Sequence, residues 1–169
     1  MEVLWAPWRG EYLGGPRTPG CFLCDYHQQP PDRDAANYVV YRGAACYVLL
    51  NLYPYNNGHL MIAPYAHVAS PDNLPVATLT ELAQLTALSL QALRRVASPE
   101  GFNVGMNLGA AAGAGLADHV HQHVVPRWRG DVNFMASIGN TRVIPEALAD
   151  TWAKLRAAFS GLTDRDPSA

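Results

Sequence analysis

The first half of the chain alternates short apolar stretches with Gly, Pro and Asn. Three stretches rich in β-branched and aromatic residues are predicted as strands: Tyr38–Gly43, Cys46–Pro54 and Gly58–Pro64. The links between them are short, which favours antiparallel neighbours.

A helical periodicity follows these strands. Thr78 and Glu81 have the spacing of a capping box, in which each side chain bonds a backbone N–H group at the start of a helix. Apolar residues continue at helical spacing to Val96, and Ser98-Pro99 ends the run. We therefore predict one long helix that begins near Thr78.

Two further strands and a second helix complete the pattern. The strands are Gly101–Leu108 and the stretch "HVHQHVVPR" at 119–127, and the small-residue loop Gly109–Gly115 separates them. Ile144–Phe159 is predicted as a helix that Pro145 starts. This order predicts an α+β fold, with an antiparallel sheet of about five strands, one long helix and a C-terminal helix.

A chain of 169 residues has the size of one domain, so we expect a single domain over 1–169. It divides into an N-terminal arm (1–37), the sheet with the main helix (38–143), the C-terminal helix (144–160) and a frayed tail (161–169).

Composition excludes several classes of protein. Hydrophobic residues make up 49% and charged residues 15%, which is typical of a folded soluble chain. A net charge of −2 gives no basic surface for duplex nucleic acid, and no apolar run is long enough to span a membrane. The N-terminus lacks a signal-peptide pattern and the three cysteines are an odd number, so we expect thiols or metal ligands rather than disulfides, and a reducing cytoplasm.

Three histidines alternate with other residues in "HVHQHVV". In a strand, His119, His121 and His123 share one face. A metal cage and nucleophilic catalysis both use such a cluster. The small-residue loop immediately before it could close backbone N–H groups around a phosphate, which favours phosphorus chemistry.

These residues resemble the signature of the histidine triad (HIT) superfamily of nucleotide hydrolases and transferases. Further blocks are similar to the bacterial branch of diadenosine tetraphosphate phosphorylases or adenylyltransferases, namely "LWAPWRGEYL", "NLYPYNNGHLMIAPYAHV", "GFNVGMNLG", "AGAGLADHVHQHVVPRWRGDVNF" and "VIPE". Together they extend from near the N-terminus to the region of Glu146, so the resemblance implies a HIT-like fold for most of the chain.

The resemblance implies an enzyme that cleaves dinucleoside polyphosphates at the α-phosphate. His121 would be the nucleophile that becomes nucleotidylated, and His123 and His59 would contact the same phosphate. The implied nucleotide-binding residues are Asn51 at the ribose, Asn107 and the loop glycines Gly113 and Gly115 at the phosphates, and Trp128 at the base or a partner subunit. The substrate is a small nucleotide, with neither duplex nucleic acid nor a membrane as partner.

One departure from the family pattern concerns the loop before the first histidine. Many relatives carry Ser or Gln there, whereas this chain has Ala114-Gly115-Leu116. The acceptor, phosphate or water, stays open. Two alternatives also stay open: a nucleoside phosphoramidate hydrolase, and a nucleotide-binding or sensing module with little turnover. A metal-storage protein would leave the loop and Asn51 without a role.

The stretch "CFLC" has the spacing of half a zinc site, although buried thiols or a redox pair share it. The resemblance completes the site with two histidines and implies a structural Zn²⁺ held by Cys21, Cys24, His67 and His119. A closed site of this kind does not activate water. No organic cofactor is expected, and the family's fold implies a homodimer or a tetramer.

Overall fold

The computed structural model describes residues 20–131 and 146–163. Within these ranges the chain forms three α-helices and five strands. In chain order they are α1 (Phe22–Gln28), β1 (Val39–Arg42), β2 (Cys46–Leu50), β3 (Leu60–Pro64), α2 (Val76–Ala97), β4 (Gly101–Met106), β5 (Gln122–Arg127) and α3 (Leu148–Thr163). All five predicted strands and both predicted helices are present, and α1 is an additional element.

The five strands form one sheet in the order β1-β2-β3-β5-β4, and each pairing is antiparallel. β5 therefore lies between β3 and β4, and it pairs with β4 along the whole length of β4, from Gly101 opposite Arg127 to Met106 opposite Gln122. The predicted α+β class with a five-stranded antiparallel sheet is confirmed.

Alternation along the strands gives the sheet two apolar faces. One face packs on α2 and α3, with Val48, Leu50, Ile62 and Val124 in the same cluster as Leu93 and Phe159. The opposite face packs on α1, through Leu23, Tyr47, Leu49, Met61 and Ala63. His123 is the cross-strand partner of Met61, which places it on the α1 face, away from the two long helices.

The predicted capping box is wrong. α2 begins at Val76, directly after Pro75, and no side chain caps it. The Glu81 carboxylate instead accepts hydrogen bonds from the N–H groups of Ala44 and Ala45, each at 2.6 Å, in the turn between β1 and β2. A tertiary contact has displaced the local one, because two backbone donors of the turn need an acceptor. The helix ends as predicted, with Ser98 in the left-handed region at φ 46°.

Some strands are shorter than predicted. β2 stops at Leu50; one more ladder hydrogen bond follows, from the Asn51 N–H to the His59 carbonyl at 2.9 Å, and the chain then turns back towards β3. β5 begins at Gln122, so His119 and His121 precede it and the prediction of one regular strand through all three histidines is wrong. The Val120 N–H donates to the Val68 carbonyl at 2.7 Å, which holds this segment against the loop after β3.

The C-terminal helix is displaced towards the C-terminus. α3 runs from Leu148 to Thr163, so the predicted tail starts three residues later than expected. The predicted start at Pro145 and the rest of the tail lie outside the described residues. In the part of the chain that the structure describes, no helix is both long and apolar enough to cross a membrane.

Candidate functional site

Two cysteines and two histidines converge where α1 meets the loops before β5 and after β3. Cys21 and Cys24 come from the start of α1, His67 follows β3, and His119 precedes β5. Their ligand atoms all lie within 4.8 Å of one another. The Nδ1 of His119 is 3.2 Å from the Cys21 sulfur, and the Nδ1 of His67 is 3.3 Å from the Cys24 sulfur. The structure thus brings together all four residues of the predicted zinc set.

The donor set of this cluster suits a metal ion. His119 is fully buried, and its Nε2 lies 2.9 Å from the Pro64 carbonyl. A carbonyl only accepts, so Nε2 carries the hydrogen and the lone pair of Nδ1 faces the sulfurs. Burial lowers the pKa of His119, and burial together with the neighbouring Cys21 raises the pKa of Cys24 to about 11. Two crowded thiols and a neutral imidazole favour a bound cation.

His121 is held as a neutral imidazole with a defined lone pair. Its side chain is buried, and its Nδ1 donates to the His119 carbonyl at 2.9 Å. The hydrogen is therefore on Nδ1 and the lone pair on Nε2. Burial lowers the pKa of His121, which keeps the ring uncharged. An imidazole in this state can attack an electrophile through Nε2.

A second pair of histidines lies beside His121. The Nε2 of His59 is 3.0 Å from the Nδ1 of His123, and the ring of His123 is 4.9 Å from that of His121, nearly perpendicular to it. The Tyr55 N–H donates to the Nδ1 of His59 at 3.0 Å, and the Tyr55 ring lies 4.7 Å from the His59 ring. The three predicted catalytic histidines are therefore neighbours, and Tyr55 is a further residue that the sequence analysis missed.

Asn51 also belongs to this cluster. Its Nδ2 is 3.4 Å from the Nδ1 of His59, and its Oδ1 accepts the Tyr53 N–H at 2.9 Å. Asn107 is half-buried and directly follows β4, at the start of the small-residue loop.

Several backbone N–H groups of the small-residue loop form hydrogen bonds within the loop. Gly109 and Gly113 adopt φ values of 77° and 83°, which glycine tolerates without strain. The N–H groups of Ala112, Gly113 and Ala114 donate to carbonyls inside the loop. In the described residues, the N–H group of Gly115 makes no hydrogen bond, so unlike that of Gly113 it is not used inside the loop.

Trp128 directly follows the C-terminal end of β5, at the end opposite to His121. Its indole N–H donates to the Ala97 carbonyl at the end of α2, at 3.3 Å. The same turn contains Asp131, whose carboxylate accepts from the Nδ2 of Asn56 at 2.8 Å and from Arg127. Asn56 and Asp131, which the sequence analysis missed, fasten the loop of Tyr55 to the end of β5.

The fold and the site define a class: an α+β protein whose antiparallel sheet places three histidines together beside a Cys₂His₂ cluster. The model of the HIT domain matches residues 32–130, and the chain belongs to this family. A protein of Mycobacterium tuberculosis (strain CDC 1551 / Oshkosh) named AP-4-A phosphorylase is 42% identical over 157 residues, which cover 89% of this chain and 80% of that protein. The resemblance seen in the sequence is confirmed.

Solved structures agree with this assignment. A Zn-bound histidine triad family protein from Mycobacterium smegmatis has a TM-score of 0.68 at 25% identity, covering 87% of this chain and 98% of that chain. A hypothetical histidine triad nucleotide-binding protein from Sulfolobus tokodaii strain7 has a TM-score of 0.69 at 23% identity, covering 88% of this chain and 97% of that chain. The second likeness supports the fold alone.

Proposed function

We propose that this chain is a nucleotidyltransferase or hydrolase that cleaves dinucleoside polyphosphates, such as diadenosine tetraphosphate, at the α-phosphate. The observation that carries the proposal is the buried, neutral His121, whose Nδ1 hydrogen is held by the His119 carbonyl so that Nε2 keeps its lone pair. The similarity to a protein named AP-4-A phosphorylase supports this substrate class.

In the proposed reaction, the Nε2 of His121 attacks the α-phosphorus. An N–P bond forms, the bond to the bridging oxygen breaks, and the remaining nucleotide leaves with that oxygen. The Nδ1 hydrogen stays on the ring, bound to the His119 carbonyl. An acceptor then attacks the same phosphorus and releases His121. Phosphate gives ADP from diadenosine tetraphosphate, and water gives AMP.

The phosphate oxygens need hydrogen-bond donors in this reaction. We assign that role to His123, with His59 behind it, to Asn107, and to the N–H groups of the loop at Gly115. Asn51 contacts the ribose from its place beside His59. The leaving group is a nucleoside polyphosphate, whose terminal phosphate oxygen departs as an anion, so the Ala114-Gly115-Leu116 loop can act without a side-chain donor.

We also propose that Cys21, Cys24, His67 and His119 hold a structural Zn²⁺. Support comes from the mutual approach of their ligand atoms and from the His119 tautomer, in which Nδ1 is available and Nε2–H is bonded to the Pro64 carbonyl. Four protein ligands close a tetrahedral site, so the ion's contribution is to fix the backbone around His119.

We place the protein in the cytoplasm as a single HIT-like domain that acts as a homodimer. The absence of a disulfide among Cys21, Cys24 and Cys46 supports a reducing compartment. β4 is an edge strand whose Asn103, Val104 and Gly105 are exposed, and it could pair with the same strand of a second copy.

Product analysis tests the proposed activity. Purified protein is incubated with diadenosine tetraphosphate, with and without inorganic phosphate, and the nucleotides are separated by chromatography. ADP and ATP that appear only with phosphate identify a phosphorylase, whereas AMP and ATP identify a hydrolase. The H121A variant should lose at least about 10³-fold in kcat, because no other group supplies the nucleophile.

The matched control is H27Q, because His27 is the one histidine outside the two clusters. This variant should keep its activity. Full activity in H121A would refute the mechanism. Tight nucleotide binding with neither turnover nor a trapped nucleotidyl-histidine would instead identify a binding module.

A further inference from the structure

Two consecutive hydrogen bonds connect the loop between β2 and β3 to the triad. The Tyr55 N–H lies 3.0 Å from the Nδ1 of His59, and the Nε2 of His59 lies 3.0 Å from the Nδ1 of His123. We propose that Tyr55 is a positioning residue, whose backbone N–H fixes the tautomers of both histidines and thereby puts the hydrogen of His123 on Nε2. Only its consequence for catalysis rests on the proposed function.

The first step follows from the chemistry of the peptide N–H. This group always donates and does not titrate in the working range of pH. The Nδ1 of His59 must therefore offer a lone pair, and the neutral ring must carry its hydrogen on Nε2. The Nδ2 of Asn51, itself a donor at 3.4 Å, points to the same nitrogen and reinforces this assignment.

The second step is that the tautomer of His59 determines the tautomer of His123. Because the Nε2 of His59 donates, the Nδ1 of His123 must accept, and the neutral His123 carries its hydrogen on Nε2. Reversing either ring would set two N–H groups against each other at about 3 Å, which costs a hydrogen bond and leaves a buried donor unsatisfied. The chain of bonds therefore has a single direction.

The surroundings keep Tyr55 in place. His59 is fully buried, and the Tyr55 ring packs 5.7 Å from the His123 ring as well as on His59. Asn56, the next residue, donates to the Pro126 carbonyl at 3.1 Å and to Asp131. The Tyr55 N–H thus belongs to a loop that Asn56 fastens to the C-terminal end of β5.

The tautomer decides what His123 can do for a phosphate. An Nε2–H group donates to a phosphate oxygen, whereas a lone pair at Nε2 would repel it. A hydrogen-bond donor that stabilises a developing oxyanion contributes about 10²–10³ in kcat. Tyr55 would therefore affect the rate through a backbone atom that touches neither substrate nor nucleophile.

Nitrogen NMR of the intact wild-type protein tests the assignment directly. Histidines are labelled with ¹⁵N, long-range proton–nitrogen correlations report which ring nitrogen carries hydrogen, and H59Q and H123Q assign the signals. We expect His59 and His123 both to be protonated on Nε2 only. A hydrogen on the Nδ1 of either ring overturns the proposal. The measurement needs no substrate, so it can fail or succeed independently of the proposed activity.

A backbone substitution tests whether the Tyr55 N–H sets these tautomers. The amide of Tyr55 is replaced by an ester, through incorporation of the matching α-hydroxy acid, which removes the N–H and keeps the ring. The control is the same change at Leu52, whose exposed position in this loop donates no backbone hydrogen bond among the described residues. Unfolding temperatures of both proteins verify that the fold persists.

At position 55 we expect mixed tautomers of His123, a fall in kcat of about tenfold, and a KM within about twofold of wild type, because only a donor used in the transition state is weakened. The ester at position 52 should leave the tautomers and kcat unchanged. Unaltered tautomers in the position-55 ester would refute the role of the Tyr55 N–H.

Discussion

His119 connects the metal-ligand cluster to the proposed nucleophile within a single residue. Its Nδ1 faces Cys21 and Cys24, its Nε2 donates to Pro64, and its carbonyl accepts the Nδ1 hydrogen of His121. An ion that fixes the imidazole therefore also fixes the carbonyl that orients His121. The metal would influence the rate without touching the substrate.

The C24S variant should lose the metal and most of the activity. An alcohol is a much poorer zinc ligand than a thiolate, so we expect zinc to fall from about one ion per chain to near zero, and kcat to fall by about tenfold or more as the His119 backbone loosens. Metal analysis by mass spectrometry and steady-state kinetics measure the two effects.

The control for C24S is C46A, because Cys46 is buried in the core and belongs to no metal cluster in the described chain. It should keep its zinc and its kcat. If C24S lost zinc and remained fully active, the link between His119 and His121 would have no role in catalysis.

The sequence predicted the roles of side chains far better than the roles of backbone groups. Cysteine has few common roles, so the spacing of Cys21 and Cys24 indicated half of a zinc site, and the family resemblance supplied His67 and His119; the structure brings all four together. Tyr55 was missed because its N–H group, which any residue but proline would provide, makes the contact. The sequence also does not show that Ala112, Gly113 and Ala114 use their N–H groups inside the loop.

At the scale of elements, hydrophobic periodicity predicted which helices and strands exist, whereas long-range contacts determine the residues at which they begin and end. The apolar spacing found α2, but Glu81 serves the turn between β1 and β2 rather than the helix start. The helix α1 was missed, because only seven residues form it and it is held by packing on the sheet and by Arg42, which donates to the carbonyls of Tyr26, His27 and Gln29.

The contact between Glu81 and the turn makes Gly43 intolerant of a side chain. A Cβ at Gly43 would clash with the Glu81 carboxylate and would lie 2.9 Å from the Cys46 carbonyl, which belongs to the backbone of β2. We expect G43A to lower the free energy of unfolding by about 1–3 kcal/mol, measured by urea denaturation.

Gly161 offers a matched control for this substitution. It lies in α3, and a Cβ there meets nothing within 4 Å. G161A should therefore keep or raise the free energy of unfolding, by up to about 1 kcal/mol, because alanine favours the helix. Equal stability of G43A and wild type would show that the turn is not packed as described.

At the scale of the whole molecule, the two edges of the sheet differ in how they are covered. The β1 edge is covered by α3, where Trp152 donates to the Val39 carbonyl and Arg156 to the Val40 carbonyl, each at 2.8 Å. The β4 edge has no such cover among the described residues, and Val104 is 46% exposed there. An open apolar edge strand invites pairing with another strand, which supports the proposed homodimer.

A charge on the open edge should separate the two copies. In a symmetric dimer joined through β4, V104D places like charges close to each other, so we expect the dissociation constant to rise by at least about tenfold, measured by analytical ultracentrifugation. V76D is the control, because Val76 is 79% exposed at the start of α2, away from the β4 edge. A wild-type chain that sediments as a monomer would exclude the dimer. A V104D dimer as tight as wild type would place the subunit contact elsewhere. Retained activity of a monomeric V104D would further show that one subunit holds a complete site, as expected if all the histidines that act together come from one chain.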